Sequence, residues 1–119
     1  SVCYDIRFPE LFRAMAAAGA EWFTVPAAFT VPTGQAHWEI LLRARAIENQ
    51  CYVLAPAQGG RHENGRRTWG HTMLIDPWGE TLIEGGEGEM VLTATVDLAA
   101  VDSVRQRIPV FADRRPDAY

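Results

Sequence analysis

The chain is 119 residues long, has a formal net charge of −4, and contains 11 arginines but no lysine. At roughly 100–150 residues per domain the length allows one domain. The acidic balance offers no broad basic field for nucleic acid or an anionic membrane, and any step that needs an ammonium side chain is beyond these residues alone.

With 48% apolar and 22% charged residues, the composition is that of an ordinary globular chain able to bury a modest core. No apolar run approaches the ~20 residues of a membrane span. The start, Ser1-Val2-Cys3-Tyr4-Asp5, lacks the basic and apolar regions of a signal peptide. Cys3 and Cys51 build no disulfide framework, so a reducing cytoplasm is the expected location. The chain begins without Met, at what reads as the end of a strand. It is expected to be a piece of a longer domain, with residues 107–119 as an extended tail.

In chain order, Arg7 to Ala18 predicts a helix, with Pro9 in its first turn, Leu11, Met15 and Ala18 on one face and Gly19 as its stop. Glu21 to Val25 predicts a short strand and Pro26 to Ala36 a loop. Gln35 to Gln50 is the longest periodic segment: Trp38, Leu41, Leu42, Arg45 and Asn49 share a face, and Glu39 and Arg43 form an i, i+4 pair. Cys51 to Ala55 reads as a strand apolar on both faces. Gln58 to Thr68 reads as a polar loop in which Arg61, Arg66 and Arg67, beside Glu63, form a solvated surface. His71 to Asp76 and Glu80 to Glu84 predict strands joined at Pro77-Trp78-Gly79, with Asp76 shaping the turn. Met90 to Asp97 predicts another strand and Leu98 to Arg105 a short helix. Helices alternate with strands first and hairpins follow, which predicts an α/β layered domain with a mixed sheet.

Cys3 is the leading candidate for chemistry. It sits where a strand turns into a helix; such an elbow exposes the thiol and presents backbone N–H groups to developing negative charge, while the helix start favours a thiolate. A small buried apolar thiol is the alternative. Cys51, inside an apolar strand, reads as structural. His37, His62 and His71 are available as bases, but their spacing favours none. His71 also fits a strand-end hydrogen-bonding residue, and His37 a residue that opens its helix. No HxxxH or CxxC spacing exists, so no metal or other cofactor is expected. Arg7, four residues after Cys3, is placed either to take a substrate carboxylate in a two-pronged contact or to pair with Asp5 or Glu10.

Four blocks carry a resemblance. Cys3-Tyr4-Asp5-Ile6-Arg7-Phe8-Pro9-Glu10 resembles the nucleophile motif of the carbon–nitrogen hydrolase (nitrilase) superfamily. His37-Trp38-Glu39 with Arg43 to Gln50, then Gly70-His71-Thr72-Met73 with Asp76-Pro77-Trp78-Gly79, and then Arg107 to Phe111 with Arg114 to Asp117, resemble its later blocks in the same order. Gln58-Gly59-Gly60-Arg61-His62 leans toward the deaminated glutathione amidase branch.

The resemblance implies the C-terminal half of a four-layer α-β-β-α sandwich. It also implies a Glu–Lys–Cys triad whose Glu and Lys precede the cysteine, so that only Cys3 is present here. Glu39 and Glu48 are not promoted to those roles and are expected to brace Arg43, Arg45 or Arg7. It further implies that the Tyr4 backbone N–H helps hold the oxyanion, that Arg7, Phe29 and Thr33 line the pocket, and that Arg7 and Thr33 hold an α-keto acid carboxylate of a small amide. The complete protein is expected to be a homodimer, with Phe111 and Tyr119 of the tail packing on the partner. An ω-amidase, an N-carbamoyl amidase, or a catalytically incompetent fragment acting as an interaction module are the other readings.

Overall fold

A computed structural model describes residues 1–118. The chain opens with a 3-10 turn, Cys3–Arg7. Asp5 folds it: its Oδ2 accepts the Val2 N–H at 2.8 Å, and its own N–H donates to the Val2 carbonyl at 3.0 Å. Pro9 then takes the first position of α1 (Pro9–Ala17), where a missing N–H leaves no intrahelical bond unmade. The buried face of α1 is Phe12 and Ala16, not the expected Leu11, Met15 and Ala18; only Met15 of that set packs on the core. The turn before Pro9 sets the phase, and it aims Phe12 edge-on at Phe23, 5.1 Å away.

After β1 (Trp22–Thr24) the chain reaches a helical rod that starts earlier than its periodicity suggests. It comprises α2 (Val31–Thr33), a π-helical stretch (Gly34–Trp38) and α3 (Glu39–Asn49). The second half of the predicted loop is therefore helix; Pro32 suits a first turn. The predicted inner face holds in the main: Trp38, Leu42, Arg45 and Asn49 are buried, and Leu41 is half-buried against the core. The Glu39–Arg43 pair forms at 3.5 Å. The rod ends at Gln50 in the left-handed region (φ 54°). The Gln50 side chain turns inward and donates to the Ile108 carbonyl at 2.7 Å.

The main sheet has the order β1-β2-β5-β6, with β2 (Tyr52–Ala55), β5 (Met73–Ile75) and β6 (Thr81–Glu84). β1 and β2 run parallel, joined through the rod as a parallel pair requires, and the other pairings are antiparallel. Asp76 shapes the β5–β6 turn: its Oδ1 accepts the N–H groups of Trp78 at 2.9 Å and Glu80 at 2.8 Å. One face of this sheet carries the core, where Phe23, Val25, Val53, Ala55, Met73 and Ile75 meet α1 and the rod. The other face has a smaller cluster around Tyr52, Leu74 and Val101, the last from α4 (Ala99–Arg107).

Three expectations are corrected. The predicted polar loop contains a separate two-stranded hairpin, β3 (Gly59–Arg61) and β4 (Arg67–Trp69), because the turn around Gly65 returns the chain. Its arginines are exposed as expected, and Arg67 pairs with Glu87 at 3.0 Å. Residues 90–96 are neither strand nor helix, and alternation alone leaves them without a strand to pair with among the described residues. The tail is not extended throughout: α4 runs to Arg107, and α5 (Val110–Asp113) and a 3-10 turn (Pro116–Ala118) follow. Phe111 packs on its own chain, with the guanidinium carbons of Arg13 and Arg105 4.9 and 5.3 Å from its ring centre. Tyr119 lies outside the described residues.

Candidate active site

Cys3 begins the 3-10 turn with φ 45°, a left-handed conformation that a non-glycine residue adopts only under constraint. The constraint is visible: its N–H donates to the Pro26 carbonyl at 2.9 Å, tying the turn to the end of β1. The half-buried Cys3 side chain lines a cleft of about 540 Å³ with Pro26, Ala57, Gln58 and Thr72. Thr72 stiffens the opposite wall, its Oγ1 accepting the Ala57 N–H at 2.9 Å.

Among the described residues, no histidine and no carboxylate lines this cleft. The three histidines are engaged elsewhere: His37 with Arg7, His62 with the Thr68 hydroxyl at 2.7 Å, and His71 with Glu84 at 3.2 Å. His71 is thus a hydrogen-bonding residue beside a strand, stacked on Trp69 at 4.2 Å. His37 does not open its helix, which begins six residues earlier at Val31.

Tyr4 is 66% exposed. Its neighbours' N–H groups are spent, Cys3 on Pro26 and Asp5 on Val2; among the described residues no backbone carbonyl takes the Tyr4 N–H.

Arg7 ends the same turn. Its guanidinium carbon lies 5.6 Å from the Tyr4 ring centre and 5.4 Å from that of Phe29, and its Nη2 lies 3.3 Å from His37 Nδ1. Neither Asp5 nor Glu10 pairs with it, so the salt-bridge alternative is set aside. Phe29 is buried against Trp38, with ring centres 4.8 Å apart, so it is a wall of the Arg7 site as much as of the core. Thr33 lies one turn before His37 on the rod. Its Oγ1 is 2.8 Å from Thr30 Oγ1 and reaches the Thr30 carbonyl at 3.2 Å. Cys3, Tyr4 and Arg7 share one turn and Phe29 flanks Arg7, but none of Tyr4, Arg7 and Phe29 is among the described residues that line the Cys3 cleft, and Thr33 is tied to its own first turn. The His37 contact and the Thr72 wall left no signal in the sequence, because both depend on which elements meet.

Behind the site, Glu39 and Glu48 brace Arg43 and Arg45 as expected, at 3.5 and 2.8 Å. Arg45, 5% exposed, donates from Nε to the Ile6 carbonyl at 2.8 Å and so holds the turn that carries Cys3 and Arg7. Cys51 is fully buried at the start of β2 and donates to the Ala20 and Asn49 carbonyls at 3.2 Å. Burial pushes its thiol above the ordinary value of 9.0, outweighing the Arg105 guanidinium that pulls it down from 3.4 Å. This is a structural thiol. Among the described residues no group of three or more His, Cys, Asp or Glu is arranged to hold a metal ion, and no helix is long and apolar enough to cross a membrane.

Comparison with known proteins places these features in a family. Residues 1–106 match the carbon–nitrogen hydrolase family model. The chain is 54% identical to the deaminated glutathione amidase of Mus musculus over all 119 residues, which span 37% of that protein. The crystal structure of the Caenorhabditis elegans NitFhit protein superposes with a TM-score of 0.96 at 51% identity, covering 100% of this chain and 29% of that one. An amidase mutant from Nesterenkonia sp., solved with the acetamide moiety of fluoroacetamide covalently added at its active-site cysteine, superposes with a TM-score of 0.79 at 32% identity, covering 98% of this chain and 40% of that one. The chain therefore spans well under half the length of these relatives, and it belongs to the carbon–nitrogen hydrolase family.

Proposed function

We propose that the full-length protein carrying this chain hydrolyses a small-molecule amide with Cys3 as nucleophile. The observation that carries this reading is the constrained turn, which sets Cys3 on an open cleft with the unclaimed Tyr4 N–H beside it. The covalent adduct on the active-site cysteine of the Nesterenkonia amidase supports it.

A base from outside these residues takes the Cys3 thiol proton as the sulfur attacks the amide carbon, and the carbonyl π pair moves onto oxygen, where the Tyr4 N–H donates to it. The C–N bond breaks, the nitrogen leaves as ammonia or amine with a proton from the general acid, and a thioester remains. Water then attacks the thioester, gives its proton to the same group acting as base, and releases the carboxylic acid and the thiol. The glutamate and lysine of the family triad come from outside these residues.

Arg7, with Phe29 and Thr33, takes the carboxylate of an α-keto acid amide. The deaminated glutathione amidases among the relatives favour that substrate class over other amides; ω-amidase and N-carbamoyl amidase activities are the neighbouring readings. The whole protein acts as a homodimer, which light scattering tests.

The test is turnover of deaminated glutathione by the full-length protein. Cys3→Ser abolishes it and Cys51→Ala retains it. The 119-residue chain alone, which has no lysine, turns nothing over. Full activity of Cys3→Ser, or Cys3-dependent turnover by the isolated chain, would overturn the proposal.

A further inference from the structure

The π-helical stretch Gly34–Trp38 is the least regular part of the rod, and such wide turns recur at functional sites because they re-aim side chains. Here it is pinned on two sides. A Cβ on Gly34 would lie 2.2 Å from Trp69 Cβ and Cγ, so the helix touches Trp69 directly. Trp38, 1% exposed, turns inward and donates from Nε1 to the His71 carbonyl at 2.8 Å. Its neighbour His37 is sent the other way, to the Arg7 guanidinium. An arginine is a donor only, so the contact requires a lone pair on His37 Nδ1 and the proton on Nε2.

The other charged groups on the elements around this stretch are engaged elsewhere: Glu39 with Arg43, Arg45 with Glu48, Arg67 with Glu87, and Asp5 with the Val2 N–H. The Tyr4 and Phe29 rings lie beside the guanidinium, and His37 takes one of its five N–H groups. Among the described residues no other hydrogen bond or ion pair engages the guanidinium, which leaves its remaining N–H groups for a ligand.

We propose that His37 is a positioning residue that aims the Arg7 guanidinium at the substrate carboxylate, and so determines specificity for anionic amides. The inference rests on the reading of Arg7 as the carboxylate holder. A guanidinium already oriented loses less side-chain freedom when it binds, so removing the lone pair weakens recognition of the carboxylate and leaves the chemistry at Cys3 unchanged.

The experiment compares two substrates of the full-length protein: α-ketoglutaramate, and levulinamide, the same chain with methyl in place of carboxylate. His37→Leu raises KM for α-ketoglutaramate about tenfold, the size of one hydrogen bond to a charged group, with kcat and the levulinamide KM unchanged. His37→Asn, whose Oδ1 replaces the Nδ1 lone pair, restores most of the loss. In an Arg7→Leu background His37→Leu has no further effect. Equal KM changes for both substrates, a loss confined to kcat, or failure of Asn to do better than Leu overturns the proposal. If Arg7→Leu itself leaves the preference between the two substrates unchanged, the Arg7 reading falls; if Arg7→Leu abolishes that preference and His37→Leu does not, only the role of His37 falls.

Discussion

Replacing Arg45 by Met in the full-length protein separates the support of the site from its chemistry. Met keeps most of the apolar stem, so the packing contribution of the arginine is largely retained. Three interactions are lost. The Ile6 carbonyl loses its 2.8 Å bond to Nε in a buried setting, which costs ~1–3 kcal/mol. The pair with Glu48, whose side chain is about a third exposed, contributes under ~1 kcal/mol. The guanidinium carbon sits 5.6 Å from the Phe12 ring centre, adding about 0.5–1 kcal/mol. The expected loss is therefore about 1.5–5 kcal/mol. In urea unfolding followed by fluorescence and circular dichroism, the midpoint falls while the slope stays constant, by roughly 1 M if the slope is near 3 kcal/mol/M. Because Ile6 lies between Cys3 and Arg7, kcat/KM falls as well. Glu48→Gln alone loses less than ~1 kcal/mol. A change below ~0.5 kcal/mol for Arg45→Met would refute the reasoning, since the carbonyl of Ile6 would then have another partner.

Two other predictions test the frame and the buried thiol. Gly34→Ala places a methyl 2.2 Å from Trp69, so the π-helical stretch must shift; a loss of ~1–3 kcal/mol is expected in thermal unfolding, and wild-type melting would show that the contact is not close. The buried Cys51 thiol is raised, so the stability it contributes is complete below its ordinary value of 9.0 and declines as pH climbs from there toward the folded value. Urea midpoints measured from pH 7 upward should fall above about pH 9, and Cys51→Ala should remove that part of the fall; an unchanged slope in the variant contradicts the burial argument.

Much of this protein is local enough to be read from its residues. The inner face of the rod, including the unexpected Arg45 and Asn49, follows from helical spacing, because a side chain's direction on a helix depends only on its position. The β5–β6 turn follows from Asp76, whose carboxylate bonds N–H groups two and four residues on. Cys3 stands out by its place just before Pro9 and the helix it opens, although among the described residues no strand precedes it and the element it begins is a 3-10 turn rather than the end of a strand. The errors share one cause. Residues 90–96 alternate like a strand, but a strand also needs a partner, and pairing is not a local property. The polar segment 58–68 lacks the apolar alternation of a buried strand, yet it pairs because Gly65 lets the chain return.

The sequence by itself determined the place of the candidate thiol, the arginine four residues beyond it and the absence of any lysine, since these are identities and spacings. Only the tertiary structure decided that Arg7 faces His37 and two aromatic rings rather than Asp5 or Glu10, that Phe111 packs on its own chain, and that among the described residues no histidine lines the Cys3 cleft. Apart from the Tyr4 ring, which shares the turn of Arg7, those contacts join residues far apart in the chain, and their meeting depends on how a mixed sheet and a locally widened helix set the elements in space.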